Sequence, residues 1–395
     1  MACMPRAVPL IVIAQLLGTS LWFSANGVGD QLLLAWGLDT GDLGSLTAAV
    51  QFGFITGTLL FAISGSADRF HASHLFFVAS LFGAAANLGL AWVADALPVA
   101  MLFRFLTGLA LAGIYPVGMK LVVSWAPERR GEALGWLVGM LTLGTAMPHL
   151  LRGVSVGVEW SWVVTAASIL AVLGGVLVLM LGDGPHLARS GRLNWGGVFT
   201  AFRRSGFRAA AFGYFGHMWE LYAFWTLTPL FLAAIFTGFA AHTISLLSFA
   251  VIGIGGISCV LAGRLSRHLG SARVAVGALS ISGLLCLVYP WLQGISDGVA
   301  LLVLLLWGAA VIADSAQYSA LASAHAPAEG VASALAIMNS IGFALSAVAI
   351  ELVSGIWSDW GAPVSWLLVP GPLLGVLAMR PLLRADRPAQ PGGVR

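Results

Sequence analysis

DGPHLARSGRLNWGGVFTAFRRSGFR, residues 183–208, is the longest internal gap between the apolar runs of this chain. It holds five arginines together with Pro185, Gly191, Gly196 and Gly197, and no run long enough to cross a bilayer. On each side of it the sequence alternates between long apolar segments and short polar gaps. The gap divides the predicted helices six and six, which marks residues 183–208 as a linker between two bundles. A short surface helix is expected within it, around 194–202.

The basic residues extend the pattern outward. Of 19 Lys and Arg, all but Arg104 and Arg152 fall in every second gap. They are Arg6, Arg69, the Lys120/Arg129/Arg130 group, the linker arginines, the Arg264/Arg267/Arg273 group and the tail from Arg380. The intervening gaps carry Asp30, Asp39, Asp42, Asp95, Glu159, Asp297 and Asp359. Short loops rich in Lys and Arg stay on the cytoplasmic side of a membrane, so this alternation predicts many crossings with both ends inside. Composition agrees: 59% of residues are hydrophobic and 9% charged, against about 25% charged in a soluble domain. The net charge of +3 follows topology and forms no stripe on one face, which argues against a nucleic-acid partner. Cys3, Cys259 and Cys286 are too scattered for a disulfide framework or a thiolate metal site. The apolar run from Val8 to Phe23 ends in no clear cleavage pattern, so it reads as a retained helix rather than a signal peptide.

A membrane helix needs about 20 apolar residues. The spacing predicts about twelve, near 8–28, 43–64, 74–93, 98–122, 133–151, 161–182, 209–235, 242–264, 274–293, 298–322, 331–356 and 364–383. The expected organisation is an all-α integral membrane protein: a six-helix bundle over 1–182, a cytoplasmic linker over 183–208, a second bundle over 209–384, and a cytoplasmic tail over 385–395. Glycine is abundant, at 49 residues. Gly53/Gly57, Gly135/Gly139 and Gly253, Gly255 and Gly256 are expected to let helices pack closely.

The two halves repeat. The gap after the second helix reads Ser64-Gly-Ser-Ala-Asp68-Arg69-Phe-His, and the gap after the eighth reads Gly263-Arg-Leu265-Ser-Arg267-His-Leu-Gly270. Duplicated halves are common in secondary transporters. With this loop, with Arg104-x-x-x-Gly108 on helix 4 and with Pro127-Glu-Arg-Arg-Gly-Glu132 after it, the chain resembles the major facilitator superfamily over essentially its whole length. That family carries G-x-L-x-D-R-x-G-R after helix 2 and a weaker copy after helix 8. This sequence keeps Asp68 and Arg69 in the first copy, and Gly263, Leu265 and Gly270 in the second, where Arg267 stands in place of an acid. The resemblance implies two six-helix bundles that rock around a central cavity lined by helices 1, 4, 7 and 10. It also implies gating at Asp68, Arg69 and Arg267, and a functional monomer. The glycine–proline signature of drug/proton antiporters is missing: Gly144 and Pro148 stand apart on helix 5.

Ionisable groups inside a bilayer cost about 3 kcal/mol on insertion scales, which makes them candidates for function. Glu220 lies about 16 Å into helix 7, near mid-membrane. His217 and Phe224 share its face. A carboxylate beside an imidazole suits proton binding and release. Asp314 shares a face with Gln317 and Tyr318, and it either joins the proton site or holds a gate near the inner mouth. Glu220, His217 and Asp314 are therefore the expected coupling residues, with the proton as coupling ion and no other cofactor. Arg104 keeps its charge, so it either binds an anionic solute or pairs with a carboxylate, and the resemblance implies coupling or structural support through helix 1. Glu351 lies far enough along helix 11 to reach outside water. Gln15, Thr19, Trp22 and Asn26 fall on one face of helix 1, directed at protein or at a water-filled cavity. With Arg104, Tyr115, Phe224, Gln317 and Tyr318 they form the expected solute-binding set. Helix–helix hydrogen bonding is the competing explanation for the helix 1 stripe. His149 and Arg152 near the outer end of helix 5 could attract an anion, but a lipid-facing or loop role is the favoured expectation. No P-loop, metal-binding helix motif or nucleophile elbow is present, so neither ATP hydrolysis nor soluble-type catalysis is suggested.

The expected function is secondary active transport of a small polar or anionic solute across the cell inner membrane, coupled to protons. Two rivals stand: proton-coupled export of hydrophobic drugs, favoured by Trp22, Trp219, Phe224 and Trp225, and a non-transporting membrane sensor.

Overall fold

The computed structural model describes residues 6–65, 69–187 and 193–385. Helices dominate. Ten are long and apolar enough to cross a membrane, and Ala7–Thr19 and Ala362–Ala378 are shorter apolar helical stretches. In the first half lie α1 (Ala7–Thr19), α2 (Gly29–Trp36), α3 (Thr40–Ser64), α4 (Ala72–Trp92), α5 (Leu97–Trp125), α6 (Arg130–Val154) and α7 (Trp160–Leu181). The linker helix is α8 (Trp195–Arg203). The second half holds α9 (Ser205–Ile235), α10 (Ala241–Leu269), α11 (Ser271–Val288), α12 (Asp297–Ala313), α13 (Ser315–His325), α14 (Val331–Gly355), α15 (Trp357–Trp360), α16 (Pro370–Ala378) and α17 (Arg380–Ala385). The linker and the end of α3 lie on one side of the molecule. The start of α3 and the end of α14 lie on the far side.

The linker helix starts at Trp195, as its sequence suggests, because the Asn194 side chain accepts from the Gly197 N–H at 3.1 Å and caps the first turn. The following helix begins at Ser205, four residues before the expected boundary.

The first crossing differs from the expected single helix over 8–28. Helix α1 stops at Thr19, the chain turns through Ser20–Ala25, and a 3₁₀ turn over Asn26–Val28 leads into α2. Three hydroxyls in this stretch bond back to their own chain: Thr19 to the Gln15 carbonyl, Ser20 to Leu17 and Ser24 to Leu21. Such back-bonding bends helices. The expected helix over 298–322 is likewise interrupted, at Asp314, between α12 and α13.

Close backbone contacts hold each half. A Cβ on Gly53 would strike the Phe105 carbonyl, and one on Gly108 the Val50 carbonyl, so α3 and α5 cross in near contact. Gly308 meets the Val251 carbonyl in the same way where α12 crosses α10. Gly308 follows Gly108 by 200 residues, so the repeat seen in the loops extends to a helix crossing. Gly135, by contrast, faces open space. The halves meet along α6 with α10 and along α3 with α14. Gly139 and Gly256 face each other's carbonyls at the first seam. On the far side the second seam is tied by Thr40 Oγ1 to the Ser354 carbonyl at 3.2 Å, and by Ser45 Oγ to Glu351 at 3.1 Å. Glu351 thus serves a contact between the halves as well as facing out.

At the linker side, Asp183 caps a helix that is not its own. Its carboxylate accepts from the backbone N–H groups of Ser73 at 2.8 Å and Ala72 at 3.3 Å, at the start of α4, with His71 Nδ1 at 3.0 Å. Burial pushes this carboxyl up. The hydrogen bonds from Ser73, His71 and Ala72 outweigh that and hold it below the usual carboxylate range.

Candidate functional site

A cavity lies between the halves, on the linker side of the molecular centre. Ser319 is exposed at its mouth, with Ser315, Asn339 and Met119 nearby. Tyr115, Tyr214 and Met218 form its walls. Its deep end is closed by Tyr222, Trp225 and Phe343, and both Tyr222 and Trp225 are buried. The space is narrow, with about 40 Å³ open to the centres of water-sized spheres, room for a few waters. A solute needs the walls to part. No charged side chain lines it among the described residues.

Beyond the deep end, aromatic rings bridge the halves. The Trp22 ring stacks on Tyr222 at 5.6 Å and on Phe343 at 5.7 Å, and the Phe54 and Phe343 centroids lie 4.4 Å apart. Trp22, Phe23 and Phe54 come from the first half, Tyr222, Trp225 and Phe343 from the second. With the α3–α14 seam, this cluster shuts the far side.

Helix α9 explains where the predicted residues go. Tyr214, Met218, Tyr222 and Trp225 recur at helical spacing and face the cavity. His217, Glu220 and Phe224 do share a face, but it is the adjacent one, turned into the second half. His217 Nδ1 lies 2.9 Å from Asp314 Oδ1, with both side chains buried. That contact lacks hydrogen-bond alignment, and both Asp314 oxygens are without a hydrogen-bond partner. Glu220 Oε2 accepts from Ser282 Oγ at 2.9 Å and from Cys286 Sγ at 3.4 Å, both on α11, while its Oε1 has no partner. Phe224 packs on Trp307 at 4.4 Å, away from the cavity. Tyr318 is fully buried with an unpartnered hydroxyl, its ring 5.7 Å from His217 and 6.3 Å from Tyr214. Gln317 is buried near it in sequence and does not line the cavity.

Arg104 is also off the cavity. Its Nη1 donates to the Leu21 carbonyl at 3.1 Å, to Ser24 Oγ at 2.9 Å and to Asn87 Oδ1 at 3.2 Å, and its Nη2 donates to the Trp22 carbonyl. Leu21 and Trp22 lie in the turn that ends α1, where carbonyls lose their helical partners. The guanidinium fills that need, and Asn87 anchors the group to α7 through Val164 and Ser168. Both Nη atoms are thus bonded, while Nε has no partner, and it is such hydrogen bonds that make a buried cation tolerable. Where a carboxylate partner was one expectation, the partners of Arg104 are carbonyls, a hydroxyl and an amide, three of them on the chain that follows α1.

The helix 1 stripe is spent largely on other helices. Trp22 Nε1 donates to Gln51 Oε1 at 3.3 Å, and Asn26 Nδ2 to Thr47 Oγ1 at 2.8 Å. Thr19 bonds its own backbone, and Gln15 is buried near Gly118 with both amide atoms unpartnered. Of the expected solute-binding set, Tyr115 alone lines the cavity. Ser315, Ser319 and Asn339 were missed. Ser315 and Ser319 stand four apart on the turn after Asp314, and Asn339 is an isolated amide in the apolar α14, so both signals were present in the sequence.

Among the residues expected to gate, Asp68 lies outside the described residues and Arg69 is exposed at the linker side. Arg267 Nη2 stands 4.0 Å from Glu132 Oε2, across the α6–α10 seam on the linker side, and Arg129 holds the same carboxylate at 2.7 Å. On the far side Arg152, expected at a lipid-facing or loop position, pairs with Asp30 at 2.9 Å, joining α6 to α2.

The profile described as Major Facilitator Superfamily matches residues 10–350. No curated protein sequence matches the chain significantly. Solved structures share the fold. A mutant of the nucleoside transporter NupG aligns with a TM-score of 0.73 at 13% identity, covering 97% of this chain and 100% of that one. The proton:xylose symporter XylE of E. coli, bound to 6-bromo-6-deoxy-D-glucose, gives 0.71 at 16% identity, covering 95% and 94%. A bacterial homolog of the human lysosomal transporter Spinster, inward-facing and unoccupied, gives 0.65 at 14% identity, covering 97% and 96%. At these identities the likeness is one of fold.

Proposed function

The chain belongs to the major facilitator superfamily, and from that premise we propose that it is a proton-coupled secondary transporter of a small neutral solute. It is a multi-pass membrane transporter rather than an enzyme. Ala7–Thr19 and Ala362–Ala378 join the ten long helices to give twelve crossings in two six-helix bundles. Both ends and the linker face the cytoplasm of a cell inner membrane, as the Lys/Arg bias suggests. The transporter works as a monomer by alternating access. With its far side closed, this conformation faces the cytoplasm.

One observation carries the reading: within α9, an uncharged cavity wall and a buried acid–imidazole group occupy adjacent faces. Solute and proton therefore have separate places one helix face apart. Glu220, His217 and Asp314 hold the proton. Burial leaves their oxygens and nitrogens short of partners, so gaining or losing a proton changes what each can bond. The solute hydrogen-bonds Ser315, Ser319, Asn339 and the tyrosines, and stacks on Tyr222 or Trp225. The sequence also allowed an anion. Arg104 lies off the cavity with both Nη atoms bonded elsewhere, and an anion in this cavity would be buried without a counter-ion. Neutral hydroxylated compounds fit better, in keeping with the xylose and nucleoside transport named for the structural neighbours. Arg267 with Glu132 forms the contact that must open and close on the cytoplasmic side.

The test is a thermal-shift screen of purified protein with pentoses, hexoses, nucleosides, organic acids and lipophilic amines. Ligands that bind the native state raise its apparent stability. The expected result is stabilisation by a neutral hydroxylated compound, lost in Tyr222→Ala and in Asn339→Ala. Stabilisation by organic acids alone would overturn the neutral-solute reading. Met119, Met218 and Trp225 in the cavity favour a second reading, export of amphipathic drugs, which predicts stabilisation by lipophilic amines alone.

A further inference from the structure

Helix α8 presents three faces. Gly197, Val198 and Ala201 are buried, and Gly197 nearly touches Gly330 at the start of α14. Trp195 and Phe199, four residues apart, form a neighbouring stripe. They are 54% and 66% exposed, with ring centroids 6.4 Å apart. Thr200 and Arg203 complete the turn as an exposed polar edge, and Arg204 follows.

Protein thus covers one face of α8, an aromatic stripe flanks it, and a basic polar edge lies beyond. The surroundings identify what meets the stripe. Leu193, two residues before α8, donates to the Ala62 carbonyl in the last turn of α3 at 2.8 Å. The helix therefore starts at the level of Leu60 and Ile63, which are exposed on a membrane-crossing helix. A Trp/Phe stripe beside arginines at that level matches the chemistry of helices that lie in the headgroup region of anionic bilayers.

We propose that α8 is an interfacial helix docked on the anionic surface of the bilayer. Trp195 and Phe199 enter the acyl boundary, and Arg203 meets lipid phosphate. The docking bears on the rest of the molecule because the linker is fastened to both halves. Leu193 holds α3, while the Asn194 N–H donates to Ser333 Oγ at 2.9 Å and Asn194 Nδ2 to the Glu329 carbonyl at 3.3 Å, at the start of α14. These are the two helices of the far-side seam. A lipid surface that fixes α8 therefore acts on both.

The test places an environment-sensitive NBD label at Phe199→Cys in a Cys3→Ser background. Cys259 and Cys286 are buried and do not compete for the label. The protein is reconstituted in phosphatidylcholine vesicles with and without phosphatidylglycerol. The expected result is blue-shifted emission, quenched by lipids carrying a nitroxide near the headgroup and shielded from aqueous iodide. The shielding deepens with phosphatidylglycerol, and Arg203→Gln removes that increment. Emission typical of water with full iodide quenching overturns the docking. Equal shielding with and without phosphatidylglycerol overturns the anionic recognition. Should Phe199→Cys fold poorly, Trp195→Cys carries the same label on the same stripe.

Discussion

Each half of the molecule buries charge, and the two do so in opposite ways. In the first half, Arg104 is a permanent cation whose guanidinium bonds two backbone carbonyls, a hydroxyl and an amide. In the second, the charge-bearing groups are an imidazole and two carboxyls, His217, Glu220 and Asp314, and several of their oxygens and nitrogens have no hydrogen-bond partner. The halves share a helix crossing, Gly108 on Val50 and Gly308 on Val251, yet the position 200 residues after Arg104 is the buried aliphatic Leu304. A common scaffold thus carries a fixed strut on one side and, in the proposed function, a proton-exchanging group on the other. A guanidinium keeps its charge and its acceptors, whereas a buried acid or imidazole changes what it can bond when it gains or loses a proton.

The contrast can be broken most easily at the strut. Arg104→Ala leaves the Trp22 carbonyl without its donor in the bilayer interior and takes one donor each from the Leu21 carbonyl, Ser24 Oγ and Asn87 Oδ1. It should cost about 3 kcal/mol or more, read as a large fall in Tm in detergent. Arg104→Lys keeps the charge without the fork and should fall between. An Arg104→Ala protein as stable as wild type would end the strut interpretation. The shared scaffold is tested next. Gly108→Ala and Gly308→Ala each force apart a backbone crossing and should each cost about 1–3 kcal/mol. A large effect in one and none in the other would mean that the crossings are not equivalent.

Smaller effects sharpen the picture. Asp183→Ala removes the cap that α7 lends to α4, about 1 kcal/mol near neutral pH. The folded carboxyl sits below the usual range, so its contribution is complete above that range and is lost as pH falls through the folded value. Wild type and variant should therefore converge in acid, as followed by thermal unfolding across pH. The smallest effect on stability belongs to Glu220→Gln. The amide keeps the shape and an oxygen for Ser282, so Tm should move by no more than roughly 1 kcal/mol equivalent. Its effect should appear in transport.

The sequence and the structure agree where the physics is local. Hydropathy located the long helices, and the short helix expected around 194–202 lies at Trp195–Arg203, where the Asn194 cap joins close neighbours in sequence. The break in the first crossing was not legible. It depends on three successive back-bonding hydroxyls and on Arg104, which reaches the Leu21 carbonyl from 83 residues away. The periodicity of His217, Glu220 and Phe224 was read correctly as one face. Which face of α9 meets the cavity was not, since Tyr214, Tyr222 and Trp225 form an equally regular stripe and only the packing of α11 and α12 decides between them. Ser282 and Cys286 carry no signal in the sequence that they would serve Glu220.

The most direct test of the division between strut and exchange site uses proteoliposomes and a neutral solute found by thermal shift. Accumulation driven by a pH gradient is compared with counterflow at equal pH, for wild type and Glu220→Gln. The account predicts that the variant exchanges solute in counterflow but no longer accumulates it against a gradient. Accumulation at the wild-type level in Glu220→Gln would contradict it.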